Sequence, residues 1–393
     1  MRLPASGLAA LRERQWAALQ PALARTPAGA RFAGKSLEGF PITETSEVRS
    51  DYGAWNSLGL SDGEIRALAD AAECGDAAGE LSAGWSTGTN APQRGLFLTG
   101  KAERADYIGQ ILARLLPWRD LLRPQRIALH LRANNMLYSD AGRGRIKFAH
   151  FPLSASHDET MTALAQYQPT ILIAPPHRLL EMANSGLRLP SLKHLFCGSE
   201  PISAAERAIV AGSFGLNPRA ILQATEGFLG AECREGRLHL NDHSLAIELE
   251  GIPGTQGFRP IITDLRRTSQ PVVRLRGDDY LEIDPRPCPC GYAGRVIHPV
   301  EGRIHDLWRF GGRCVTPPQV VAAVEAILDG NWRWQAAASR AGAALFVEPD
   351  CPANLADRAA TALAHLIEGH VAVSRNLGPT QGPKRRKVVW HND

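Results

Sequence analysis

The feature that most constrains the fold lies between residues 126 and 224, where short apolar runs alternate with helical text. "RIALHL" (126–131), "PTILIA" (169–174), "LKHLFC" (192–197) and "RAILQA" (219–224) read as buried strands. Residues 158–167, 176–185 and 203–212, between several of them, read as helices. Such alternation predicts a parallel sheet covered on both faces, with ligands gathered in the loops beyond the C-terminal ends of its strands.

Upstream, residues 7–24, 61–79 and 103–117 read as amphipathic helices. From about residue 236 the helices stop, and "RLHL", "LAIELE", "RPIITDL", "PVVRLR" and "DYLEID" follow one another as short strands. The expected class is α/β: a large N-terminal domain (1–301) of parallel sheets layered with helices, including a small antiparallel β subdomain (236–301). A small α+β C-terminal domain (302–393) follows, with a Gly-rich hairpin, a helix opened by Pro317 and Pro318, the strand "AALFVE" and a helix over 355–368.

With 393 residues and 44% hydrophobic content, the chain can build two cores. A formal net charge of +4 is small for this length, so no nucleic-acid partner is expected; the one dense basic run is "KRRK" (384–387). No apolar segment approaches the roughly 18 residues of a membrane span. The N-terminus "MRLPASGLAALRERQW" acquires charge too soon for a signal peptide, so the expected place is the cytoplasm, without membrane insertion. Seven cysteines without an export signal point to reduced thiols.

Chemistry concentrates in loops. "GWSTGTNAPQRG" (84–95) can wrap phosphates, because glycine permits close backbone approach while hydroxyls and N–H groups donate hydrogen bonds. It is neither a Walker loop nor a GxGxxG turn, and alone it fits a polar surface loop equally well. "CGSEPIS" (197–203) and "LQATEG" (222–227) each follow a strand, where a doubly wound sheet places its ligands. Glu226 there suits Mg²⁺, a hard cation that takes carboxylate and phosphate oxygens.

"STGTNAPQRG", "GSEP", "ATEG", "VVRLRGDD" and "EGRIHD" resemble, in order and rough separation, the core motifs of adenylate-forming enzymes: acyl-CoA synthetases, peptide-synthetase adenylation domains and luciferases. "RIALHLRANNMLYSD", "YQPTILIAPPHRLLEMA" and "TEGFLGAECREGRLHLNDH" are similar to the phenylacetate-CoA ligase-like branch, and the likeness covers nearly the whole chain. It is nearest to bacterial ligases that load 3-hydroxybenzoate-type acids onto an acyl carrier protein in aryl-polyene pigment pathways. The resemblance implies ATP and Mg²⁺ as cofactors and a mobile C-terminal domain.

By that resemblance, Ser86, Thr87, Gly88, Thr89 and Arg94 form the mobile loop on the β- and γ-phosphates of ATP. Gly198, Ser199, Glu200 and Pro201 line the adenine; Thr225 touches the α-phosphate or the acyl carboxylate; Glu226 binds Mg²⁺. Asp279 takes the ribose hydroxyls, with Asp278 as substitute because "RLRGDD" replaces the usual "RYRTGD", and Arg303 lies beside the ribose. His305 occupies the hinge position, where relatives commonly have Asp or Lys. Lys384 is the implied catalytic lysine and Lys387 the alternative; a cation there stabilises charge developing at the α-phosphate. The acid pocket is expected to be walled by His150 and Phe151, by "APPH" from Ala174 and Pro175 to His177, and by residues from Gly227.

Cys288 and Cys290 form a C-x-C too tight for a usual zinc knuckle. Relatives of the branch gather a comparable set, which implies a structural Zn²⁺ on Cys233, His239, Cys288 and Cys290; ordinary buried thiols are the other reading.

The implied function is a Mg-ATP-dependent ligase that adenylates a small aromatic carboxylic acid and passes it to the thiol of an acyl carrier protein or of coenzyme A. A catalytically degenerate nucleotide-binding scaffold or regulator is the alternative of another class. Arg94 for lysine, "LRGDD" for "YRTGD", and His305 are the departures that favour it.

Overall fold

The computed structural model describes residues 5–74, 79–86, 94–131, 144–330, 332–377 and 386–391. The chain opens with α1 (Ala5–Arg25), α2 (Thr45–Ser50) and α3 (Asp62–Glu73). α3 starts where Ser61 Oγ accepts the Glu64 N–H and the Glu64 carboxylate accepts the Ser61 N–H, a reciprocal cap. An antiparallel hairpin follows, β1 (Leu81–Trp85) and β2 (Leu96–Gly100), in which Trp85 pairs with Leu96. The Gly/Ser/Thr loop is therefore the connection of this hairpin.

Then come α4 (Lys101–Leu115), α5 (Trp118–Leu121), β3 (Gln125–Leu129), β4 (Ile146–His150), α6 (His157–Tyr167), β5 (Ile171–Ala174), α7 (Pro176–Asn184), β6 (His194–Cys197), α8 (Ala204–Phe214) and β7 (Arg219–Ala224). α6 and α8 open on Ser156 and Ser203, each capped reciprocally by a glutamate three residues on, and α7 opens on Pro176. β3, β4, β5, β6 and β7 run parallel, as the alternation predicts.

At Thr225–Glu226 the chain reverses into β8 (Gly227–Glu232), then β9 (Leu238–Leu240), β10 (Leu245–Gly251), β11 (Phe258–Asp264), β12 (Leu275–Arg276) and β13 (Val296–Ile297). The eight-stranded sheet has the order β13-β9-β8-β7-β6-β5-β3-β4, its β8, β9 and β13 pairings antiparallel. "RLHL", expected in a separate antiparallel layer, thus extends the large sheet as β9. Only β10, β11 and β12 form a small sheet of their own. β4 escapes the sequence pattern because "IKFAH" mixes polar and apolar positions, as an edge strand can.

Strand alternation sorts the side chains between two faces. Ile127, Ile171, Phe196 and Phe228 pack towards Ile111 and Leu115 of α4. Ala128, Leu172, Ala174, Leu195 and Cys197 pack towards Leu164, Leu179, Met182 and Val210 of α6, α7 and α8. Each fully buried Leu or Ile here stabilises the fold by about 1.5–3 kcal/mol.

The remaining elements are β14 (Trp308–Phe310), β15 (Arg313–Val315), α9 (Pro317–Leu328), β16 (Trp334–Ser339), β17 (Gly342–Val347), α10 (Ala353–Ile367), β18 (Val371–Ser374) and β19 (Val388–Trp390). Their four-stranded sheet, order β18-β17-β16-β19, and both helices enclose a core drawn only from residues 308–390, including Val320, Val324, Leu345 and Leu363. No described helix is long and apolar enough to cross a membrane.

Candidate active site

A cleft of about 1480 Å³ opens where the parallel strands end and the C-terminal elements begin. Ser86, Gly198, Ser199, Glu200, Pro201, Thr225, Glu226, Asp279, Arg303 and His305 all line it. Residues dispersed over some 220 positions of sequence thus converge on one cavity. Thr87, Gly88, Thr89 and Lys384 lie outside the described residues.

The stem of the 84–95 loop is closed by hydrogen bonds. Ser86 N–H donates to Gly95 O (2.7 Å), and Gly95 N–H returns to Ser86 Oγ (3.0 Å). Gly95 is needed for the approach: a Cβ there would stand 3.0 Å from Thr225 Oγ1. Arg94 Nε donates to Ser86 O (2.8 Å), its guanidinium pairs with Glu73 and lies 5.7 Å from the Trp85 ring centroid, and its side chain is 14% exposed. Arg94 therefore braces the stem and is absent from the cleft wall, whereas Arg49 and Arg267, which no motif marks, do line the cleft.

Thr225 Oγ donates to Glu226 Oε2 (3.2 Å) at the β7–β8 turn, presenting hydroxyl and carboxylate side by side. Ser199 adopts φ +75, a left-handed conformation that non-glycine residues enter at a cost. Its neighbour Glu200, with a side chain only 3% exposed, accepts from His177 Nδ1 at 2.7 Å.

Asp279 and Arg303 face each other as an isolated antiparallel bridge, tying the end of the large sheet region to the first turn beyond it. Asp278 is approached by Arg259 (3.4 Å), which occupies part of its carboxylate. His305 is half-exposed, and its imidazole is held below the ordinary histidine range, mainly by burial of the ring. The neighbouring Asp306 is buried and paired with Arg386. Lys387 Nζ is bound to Glu325 (2.8 Å) and lies 5.6 Å from the Trp334 ring centroid, and all three line the cleft. The Glu301 carboxyl, facing Lys387, Glu325 and Glu206, is pushed above the usual range by burial.

The pocket residues expected from sequence are placed differently. Ala174 and Phe151 belong to the core under α6–α8, on the sheet face away from α4. His150 donates from Nε2 to Leu131 O (3.1 Å) and is kept neutral by burial, Pro175 caps α7, and Gly227, at φ +148, packs on Asp264 and Leu245. None of these five is among the described residues that wall the cleft. For Ala174 the physical reason is the two-residue strand period: its neighbour Ile173 points the other way and does line the cleft, with Leu129, Ile221, Phe228, Tyr107 and Ile111. The spacing of Tyr107 and Ile111, four residues apart on α4, was the legible signal.

Cys233, His239, Cys288 and Cys290 come together, with one ligand atom of each within 4.8 Å of the others. His239 donates Nδ1–H to Gly294 O (2.8 Å), which leaves Nε2 facing Cys290 Sγ at 3.5 Å. Cys233 and Cys288 sulfurs are 3.7 Å apart. Three thiols and an imidazole in the tautomer set by its second hydrogen bond fit a closed tetrahedral zinc site.

No protein-family model matches the chain, and no curated protein does. Solved structures do match. A 2-hydroxyisobutyryl-CoA ligase in the postadenylation state aligns with all of this chain and 91% of its own, with TM-score 0.72 and 19% identity. The same ligase aligns with TM-score 0.65 in an open conformation and 0.57 in the thioesterification state. The anthranilate CoA ligase AuaEII matches 78% of the chain and 65% of its own length, with TM-score 0.56 and 13% identity. The amide bond synthetase McbA from Marinactinospora thermotolerans matches 77% of this chain and 67% of its own, with TM-score 0.57 and 12% identity. The chain has the fold of adenylate-forming ligases.

Proposed function

We propose that the protein is a Mg-ATP-dependent carboxylic acid ligase. The observation that carries the reading is the convergence of Ser86, the 198–201 loop, Thr225, Glu226, Asp279, Arg303 and His305 on one cleft between two separately cored parts. In the first half-reaction a carboxylate oxygen attacks the α-phosphorus of ATP, the bond to the bridging oxygen breaks, and pyrophosphate leaves with an acyl-adenylate remaining. Mg²⁺, held by Glu226 and ATP oxygens, would supply charge neutralisation at the phosphates. The 198–201 loop holds adenine, Asp279 takes the ribose with Asp278 as the alternative, and the 84–95 loop covers the departing pyrophosphate. Lys384, with Lys387 as the alternative, brings a cation to the α-phosphate; Lys387 lines the cleft beside Glu325. In the second half-reaction a thiol sulfur attacks the acyl carbon and AMP leaves, after the C-terminal part turns about His305.

The acid is a small aromatic carboxylate of the hydroxybenzoate type: the wall made by Tyr107, Ile111, Leu129, Ile173, Ile221 and Phe228 suits a flat apolar ring. The acceptor is the thiol of an acyl carrier protein, with coenzyme A as the alternative. Pyrophosphate release with ATP, Mg²⁺ and a benzoate panel tests the reading, followed by competition between coenzyme A and a pantetheinylated carrier. Release with one or more hydroxybenzoates and thioester formation on the carrier support it. Turnover with coenzyme A alone moves the acceptor, and tight ATP binding without release favours the nucleotide-binding scaffold.

The Cys233, His239, Cys288 and Cys290 cluster holds one structural Zn²⁺ in this reading. Metal analysis of protein purified without added zinc should find about one equivalent, as a closed four-ligand site requires; its absence would leave four ordinary side chains.

A further inference from the structure

Resting on that reading of the cleft, we infer that His177 is a positioning residue for the adenine loop and sets the preference for adenine over other bases. Sequence position alone puts His177 with the acid pocket. The structure points its ring instead at Glu200, with Nδ1 donating to Oε1 at 2.7 Å.

His177 stands in the first turn of α7, after β5, and Glu200 follows the adjacent parallel strand β6. The pair therefore ties together two neighbouring strand-end loops, of which only the second lines the cleft. That second loop is not at rest by its own preference: Ser199, beside Glu200, sits at φ +75. A left-handed serine costs on the order of 1 kcal/mol and persists only where its surroundings hold it. Downstream the loop is held by α8, whose Glu206 accepts from Ser203 N–H (2.9 Å). Upstream, Gly198 N–H reaches Ala174 O at 3.3 Å, a long bond. The buried Glu200 carboxylate, accepting from an imidazole that is itself largely buried, is the anchor in between. Holding Gly198 to Pro201 in one shape aligns their backbone donors and acceptors with the edge of one base, and a loosened loop loses that selection before it loses stacking.

Equilibrium binding of ATP and GTP to wild type, His177→Ala and His177→Gln tests this. His177→Ala is expected to weaken ATP binding about tenfold, the order of one hydrogen bond, with GTP weakened far less, so that the ATP:GTP ratio falls. His177→Gln, whose amide can still donate to Glu200, should restore most of the ratio. kcat at saturating ATP should stay within about twofold, because His177 touches no reacting atom. A merely structural role would lower thermal stability and both affinities together, leaving the ratio unchanged, and that result overturns the inference. If wild type binds ATP and His177→Ala binds it equally well, the inference falls while the ligase reading stands. If wild type binds no ATP, both fall.

Discussion

Glu226 and Arg94 occupy different places in the site: one on the cleft wall, the other in the hairpin stem. Glu226 presents its carboxylate beside the Thr225 hydroxyl on the cleft wall. Glu226→Gln should therefore cut pyrophosphate release about a hundredfold or more without changing the melting midpoint, because a hard cation loses its charged ligand. Arg94 is turned away from the cleft, to Ser86 O and Glu73. Arg94→Ala should loosen the hairpin stem, lowering stability by about 1 kcal/mol in urea titration, with a smaller effect on turnover than Glu226→Gln. A kinetic loss as deep as that of Glu226→Gln would return Arg94 to the phosphates. His130 gives a pH signature of its own. It is buried, donates Nδ1–H to Phe151 O, and its pKa is lowered to about 4, chiefly by desolvation. Between the ordinary value of 6.5 and about 4 the unfolded chain binds the proton and the folded one does not, so stability falls as pH falls through that window. The slope is at most about 1.4 kcal/mol per pH unit for this group, and His130→Gln should flatten it in pH-dependent unfolding titrations.

At the scale of elements, β3, β5 and β6 were legible because, mostly buried, they read as short apolar runs, whereas the edge strand β4 did not; β5 to β7 fall within two residues of the expected ranges. The loops "CGSEPIS" and "LQATEG" follow β6 and β7 directly, so their place at the strand ends was legible for the same reason. Which residues wall the cleft was not legible, because a motif gives the loop and not the face. Ala174 and Ile173 are neighbours in sequence and occupy opposite sides of the sheet. The hairpin β1–β2 was hidden by its own connection, whose composition draws attention away from "LSAGW" and "LFLTG" on either side. The cysteine cluster needs the β8–β9 turn and the segment before β13 to fold together, a pairing over some 55 residues that spacing cannot reveal. Cys288→Ser should release zinc and lower stability by about 2 kcal/mol or more, read by metal analysis and melting together. Unchanged melting with no zinc in either protein would leave the cluster without a metal role.

Across the whole molecule, two cores meet along one cleft, and the connection between them runs through Arg303, His305 and the buried Asp306, which Arg386 reaches from the far end of the chain. Lys387, Glu325 and Trp334 form a compact set on the C-terminal side of that cleft, facing Glu301 and Glu206 across it. Rotation of the C-terminal part would carry Lys387 and Glu325 away from Glu301. A proline at His305, which fixes φ and removes one N–H, should therefore impair transfer to the thiol more than adenylate formation, as single-turnover assays of the two steps would show. In the proposed reading, this cleft activates a carboxylate by adenylation. Acid-dependent exchange of labelled pyrophosphate into ATP measures that step alone, without thiol or carrier. Exchange is expected with wild type and at least one hydroxybenzoate, strictly dependent on Mg²⁺ and lost in Glu226→Gln. Tight ATP binding with no exchange for any aromatic carboxylate would contradict it.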